Sequence, residues 1–274
     1  MNKDELEGVG KVAAEIIKAV PVYQDAAQPV AQEVGKALKT LGGVVNVALA
    51  PLEAMVYGYG VIKEQLKNRL EKRLAKTPPE NIVTPRLQVV GPLLEKYKYI
   101  HESEDLSWMF VNLLANAMDK NKVQKAHPSF VNVISELSPD EARLVQTLFD
   151  EEVLPKIDVR LKTKPKEGES KGHVYAFINF TTLGDKAKLE YPDLTPSYLS
   201  NLERLNIISC PTGSFQESYT NKEYYKDLEE HPIILDYKKS LSEDKEIEIV
   251  QGSITITDFG KMFMDAVLTP SEER

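Results

Sequence analysis

A chain of 274 residues with 42% hydrophobic and 28% charged residues is a folded protein rather than a disordered one, and its length suits about two domains. The net charge of -8 excludes whole-molecule attraction to nucleic acid or anionic lipid, so any such binding must rest on a local patch. The single cysteine, Cys210, excludes an internal disulfide, and the partners for a cysteine-based zinc centre are absent.

The opening segment MNKDELEGVGK has no basic-then-apolar leader, and a cytoplasmic location is expected, with a peripheral place at the inner membrane as the alternative. Residues 3–76 read mostly as helix. Val12, Ile16, Ile17 and Val20 share one side, Pro21 and Pro29 break the pattern, and Val30, Val34, Ala37, Leu38 and Leu41 form a second stripe.

Leu41 to Ile62 is a long apolar run whose one charge is Glu53. It has the length of a membrane span but also four glycines, Asn46 and Pro51, and an acid near mid-span costs a few kcal/mol. Two shorter helices broken near Pro51 fit better. Val44, Val45, Val47, Leu49, Leu52, Met55, Val56 and Tyr57 are its candidate partner-helix or membrane-inserting residues. Residues 63–76 follow with six basic residues, Lys63, Lys67, Arg69, Lys72, Arg73 and Lys76, against two acids. Leu66, Leu70 and Leu74 form a stripe beside them. Such a segment is a soluble amphipathic helix or a candidate site for an anionic partner or lipid surface.

A Pro-rich junction at 77–86 closes a first region, residues 1–80. From about 81 to 155 the pattern is helical again. Apolar residues recur at 87, 90, 93, 94 and 97. Ser103 is placed to cap a helix carrying Leu106, Phe110, Leu113, Leu114 and Met118, and Ser138, Pro139 and Glu141 form a capping-box start for a helix extending toward Pro155. Residues 156–274 change texture. A polar loop at 162–172 precedes a strand in HVYAFINFTTLG. Thr195 and Pro196 start a helix with Leu199, Leu202, Leu205 and Ile208, residues 246–257 read as a β-hairpin around Gly252, and a short helix closes the region. YLSNLERLNII followed by SITITDFGKMF resembles the recognition helix, wing and closing helix of a winged-helix domain over about 139–268. The expected fold is mainly α, a helical N-terminal half followed by a winged-helix-like α+β domain.

ENIVTPRLQVVGPLLEKYKYI, EDLSWMFVNLLANAMD and HPSFVNVISELSPDEARLV, spanning about 80–155, resemble the Abi-alpha family of bacterial abortive-infection proteins. That resemblance implies a role in phage defence. It carries over no catalytic residue.

No nucleotide motif is present, and CPTGSF is not a nucleophile elbow. His101, His127, His173 and His231 lack spaced partners, and the acids at 102–105, 140–141 and 150–152 read as structural, the first two clusters at helix starts. Catalytic residues, metal ligands and cofactors are expected to be none, with no small-molecule substrate evident. Arg204, beside Glu203, is the one basic residue of the candidate recognition helix. Residues 151–274 hold 16 basic against 23 acidic residues, so DNA binding there is disfavoured. The leading expectation is a non-enzymatic phage-defence protein that binds a protein partner, either itself or phage-encoded. A conditional membrane effector using residues 41–76 comes second and a DNA-binding regulator third.

Overall fold

The computed structural model describes residues 41–53, 59–149, 153–163, 172–213 and 223–268. Two compact units are formed, one of residues 1–139 with 265–274 and the other of Asp140–Met264. Expectations about residues 1–40, Met55, Val56, Tyr57 and the acids at 150–152 fall outside the described residues, as do 164–171 of the expected polar loop.

In the first unit the long apolar run is divided between α1 (Leu41–Glu53) and α2 (Tyr59–Leu74). Pro51 falls inside α1 rather than between the two described helices. Val44, Val45, Ala48 and Leu49 lie on one side of α1 and are buried. So are Ile62, Leu66, Leu70 and Leu74 of α2, which confirms the leucine stripe as core. A Cβ at Gly42 would collide with the Glu71 carboxylate, so the start of α1 lies against the last turn of α2 and the two helices run antiparallel.

After a 3₁₀ turn at Pro79–Asn81, α3 (Leu87–Ile100) buries Val89, Val90, Leu93, Leu94 and Tyr97 and leaves Leu87 exposed. Helix α4 (Glu104–Met118) is the centre of the unit. From Leu106 to Met118 only Trp108 is not fully buried, so this helix is enclosed on all sides. Ser103 holds the N-cap position as expected, without a side-chain capping bond. Val83 N–H donates to Met118 O at 2.8 Å and Lys120 N–H to Asn81 O at 2.9 Å, which ties the entry to α3 to the exit from α4. His127 and Pro128 lead into α5 (Ser129–Ser135), which contributes Phe130, Val131, Val133 and Ile134 to the core.

The second unit opens with α6 (Pro139–Phe149), which begins at the proline the sequence indicates. Its end differs from expectation. Residues 153–155 belong not to the helix but to β1 (Val153–Thr163), an inner strand of an antiparallel sheet of order β2 (His173–Phe180), β1, β4 (Lys245–Ile256), β3 (Ile208–Ser209). Pro155 is tolerated because it lies beyond the last β1–β2 pair, Ile157 with Phe180. Strand β2 (His173–Phe180) matches the expected strand and carries register shifts against β1, with Asn179 at φ 55°. Then come α7 (Leu183–Lys186) and α8 (Thr195–Arg204), in which Thr195 is already helical and the N-cap is Leu194. The short β3 (Ile208–Ser209), α9 (Glu223–Glu229) and α10 (Pro232–Lys239) follow.

The expected hairpin at 246–257 is one continuous strand, β4 (Lys245–Ile256), paired with β1 along its whole length from Val153–Thr255 to Thr163–Lys245. Gly252 does not turn the chain. A Cβ there would lie 2.6 Å from Pro211 O and 2.9 Å from Lys156 Cε, so the glycine permits a close approach inside the sheet. With no wing at that position, the winged-helix assignment is not supported, and the chain is mostly helical with a four-stranded antiparallel sheet.

One face of the sheet is apolar. Ile157 and Val159 pack with Tyr225, Leu228 and Ile234, flanked by Phe177, Phe180, Ile247 and Ile249. Helix α11 (Asp258–Val267) closes the described chain. Thr257 caps it, its hydroxyl accepting from Gly260 N–H at 2.9 Å.

Candidate functional site

The basic helix α2 and the turn after it carry the residues the sequence offers for recognition, and helical spacing sends those of the helix three ways. Lys63 and Lys67 share one flank and are half-buried, with Lys67 Nζ 3.9 Å from Glu71, a weak surface pair. Lys72 points away from the core and is exposed, as is Lys76 in the turn just past the end of the helix. Arg69 and Arg73 share the other flank and turn toward α4.

There Arg69 donates to the Ser107 hydroxyl, and its guanidinium lies 5.4 Å from the Trp108 ring centre. Ser107 donates onward to Glu104 O at 3.1 Å. Burial pushes the Tyr97 hydroxyl above its ordinary pKa, against the opposing pull of Arg69. Arg73 Nε donates to Asn112 Oδ1 at 2.8 Å, and Asn112 Nδ2 donates to Val267 O at 2.8 Å. Asn116, one turn further along α4, donates to Ala266 O at 2.8 Å. Sequence reasoning took the L-L-A-N-A-M-D segment for an apolar stripe and missed this polar one. The available signal was two matching pairs four residues apart, Arg69/Arg73 and Asn112/Asn116.

Of the candidate inserting residues, Val44, Val45 and Leu49 are buried and Val47 is half-buried. Leu52 lies in α1. No helix among the described residues is long and apolar enough to cross a membrane.

Arg204 is exposed at the end of α8, where its Nε and Nη2 both donate to Asn201 Oδ1, at 3.0 and 2.7 Å. Asn201 Nδ2 in turn donates to Glu141 at 2.7 Å. The guanidinium is thus folded along its own helix.

The acids at the start of α6 are structural, and their partners are distant in sequence. Asp140 accepts from the N–H groups of Glu190 and Tyr191, both at 2.9 Å, from Arg143 at 2.8 Å and from the Tyr198 hydroxyl at 3.3 Å. Burial raises its pKa, but these donors outweigh burial and the net shift is downward.

On the polar face of the sheet, Lys156 and Asp158 are a buried pair, 3.1 Å apart. Lys156 also donates to the Thr212 hydroxyl at 2.7 Å, Thr212 donates to the other Asp158 oxygen at 2.8 Å, and Asn179 N–H donates to Asp158 at 2.8 Å. Asp158 too is raised by burial and lowered more by its donors. Cys210 is buried nearby. Burial and the Glu203 carboxylate push its thiol up to about 12, far from a thiolate nucleophile at neutral pH. His127 and His231 serve the turns before their prolines, each ring nitrogen accepting a backbone N–H two residues on.

Both aspartates hold folded pKa values below the ordinary 3.8, so the stability they contribute is complete above that value and is lost as pH falls through the lower folded values. The melting temperature is expected to drop steeply as pH falls below about 4. Asp140→Asn should start lower and lose less over that window. An identical slope for wild type and variant in scanning calorimetry would refute the assignment.

The model of the family described as abortive infection alpha matches residues 58–267, most of the chain and every feature just described from α2 to α11. The chain belongs to the abortive infection alpha family. Membership implies a role in phage defence. A solved structure, that of an uncharacterized protein from the hydrocarbon-degrading marine bacterium Alcanivorax borkumensis SK2, is similar over 55% of this chain and 96% of its own, at 15% identity and a TM-score of 0.28, a likeness too slight to carry a fold argument. No curated protein matches. Within the abortive infection alpha match, the Arg69–Ser107 and Arg73–Asn112 contacts lie inside the family segment, whereas α1 lies outside it.

Proposed function

We propose that this abortive infection alpha protein acts in phage defence without catalysis, by docking a protein partner, and that the exposed lysines at the end of α2 and just past it, Lys72 and Lys76, take an anionic part of that partner's surface. The observation that carries the reading is the three-way division of the basic residues. A helix lying on a lipid surface needs its apolar stripe free and its cations flanking it. Here Ile62, Leu66, Leu70 and Leu74 are core, and both arginines are engaged by α4. Lys72, in the last turn of α2, and Lys76, just past its end, are exposed, a position suited to steering an acidic partner. The buried acids and Cys210 are consistent with this reading, since their partners are internal and support the fold.

Replacing Lys72 and Lys76 together by Glu is expected to leave the melting temperature within a few degrees and to abolish protection in a plaque assay. Full protection by the double variant would refute the role of these two lysines. The runner-up, conditional attachment to a membrane, is favoured by the same exposed lysines beside an apolar helix pair. It is tested by flotation with vesicles of phosphatidylglycerol or phosphatidylcholine, with Trp108 emission as a second readout. Trp108 is the chain's one tryptophan and lies under Arg69, so α2 cannot leave α4 without changing its surroundings. We expect no flotation and unchanged emission. Flotation on phosphatidylglycerol with a shifted emission would replace docking by membrane attachment.

A further inference from the structure

The carbonyls of a helix's last turn have no partner within the helix. In α11 two of them are taken by α4: Asn116 Nδ2 reaches Ala266 O and Asn112 Nδ2 reaches Val267 O, each at 2.8 Å. The two asparagines differ in what else they hold. Asn112 presents its Oδ1 to Arg73 of α2 at 2.8 Å, while the bond described for the Asn116 side chain goes to α11 alone.

We infer that Asn112 is a coupling latch, through which the C-terminal end of α11 and the basic helix α2 hold or release each other. Its acceptor and donor atoms lie on one rigid amide plane, so a rotation that follows Arg73 misaligns the bond to Val267. Asn112 is only 3% exposed, so water does not readily replace a lost partner. A ligand that draws Arg73 into a new contact therefore loosens the end of α11. By linkage, whatever removes that end loosens α2 by the same factor. This inference rests on the geometry of α2, α4 and α11 and is independent of which partner α2 meets.

Hydrogen exchange read by mass spectrometry on the full chain tests it. In Asn112→Ala the amides of 59–74 and of 264–268 are expected to exchange together, about tenfold faster than in wild type. In Asn116→Ala only the end of α11 should speed up. Asn112→Asp keeps an acceptor for Arg73 and loses the donor to Val267, so it should loosen α11 while α2 stays protected. This second variant decides the matter even if the alanine variant unfolds. Loosening of α2 in Asn112→Asp, an equal effect of Asn116→Ala on α2, or a change confined to one helix in Asn112→Ala would overturn the coupling.

Discussion

Asp158→Ala is expected to lose about 3–5 kcal/mol of stability, read as a lower urea midpoint, because it leaves the Lys156 ammonium charged and buried beside a hydroxyl. Lys156→Met should lose less. In that variant the Asp158 carboxylate still accepts from Asn179 N–H and the Thr212 hydroxyl, so its charge is not stranded. The triple variant Lys156→Met, Asp158→Leu, Thr212→Val removes every side chain of the cluster and leaves only Asn179 N–H without its acceptor, so it should recover part of the loss, since a buried ion pair adds little over well-packed apolar groups. Equal losses in the two single variants would show that the network is not arranged around the carboxylate.

Gly260→Ala is the second large effect. Alanine normally gains up to about 1 kcal/mol over glycine inside a helix. Here the added methyl would run into the backbone oxygen of Ile207, which already accepts from Thr257 N–H at 3.1 Å. A backbone atom cannot swing aside as a side chain can, so overpacking of about 1–3 kcal/mol or more should exceed the helical gain. Gly91→Ala in α3 is the matched control. Nothing lies within 4 Å of its new methyl, so it should raise the melting temperature by a few degrees. A Gly260→Ala protein that melts higher than wild type would remove the close packing of α11 on Ile207 from the account.

The helices of the first unit were legible because each repeats apolar residues at helical spacing over several turns. Leu66, Leu70 and Leu74 announced a buried stripe, and Ser103 and Pro139 marked helix starts. Strand β1 was hidden by the helical pattern of α6 running into it without a glycine. Its signal was nonetheless present in K-I-D-V-R-L-K, which alternates charge and apolar over Lys156–Lys162 and reads as a strand with one polar face. Gly252 misled in the opposite direction. A glycine between two alternating runs reads as a turn, and only the approach of Pro211 and Lys156 reveals that it is a contact within one strand. The candidate site was half legible. Composition located the basic residues of α2, but their division into inward arginines and outward lysines depends on where α4 lies, a fact of tertiary packing that spacing along one helix does not hold.

Residues 265–268 complete the first unit, yet the whole of Asp140–Met264 is synthesised between them and the rest of it. On the ribosome, α4 is therefore made long before the two carbonyls that Asn112 and Asn116 grip. Folding of the first unit cannot finish in the usual N-to-C order of emergence. A nascent chain stopped within β4 would carry an open, amide-lined notch on α4, a surface for chaperones or proteases that the finished protein no longer presents.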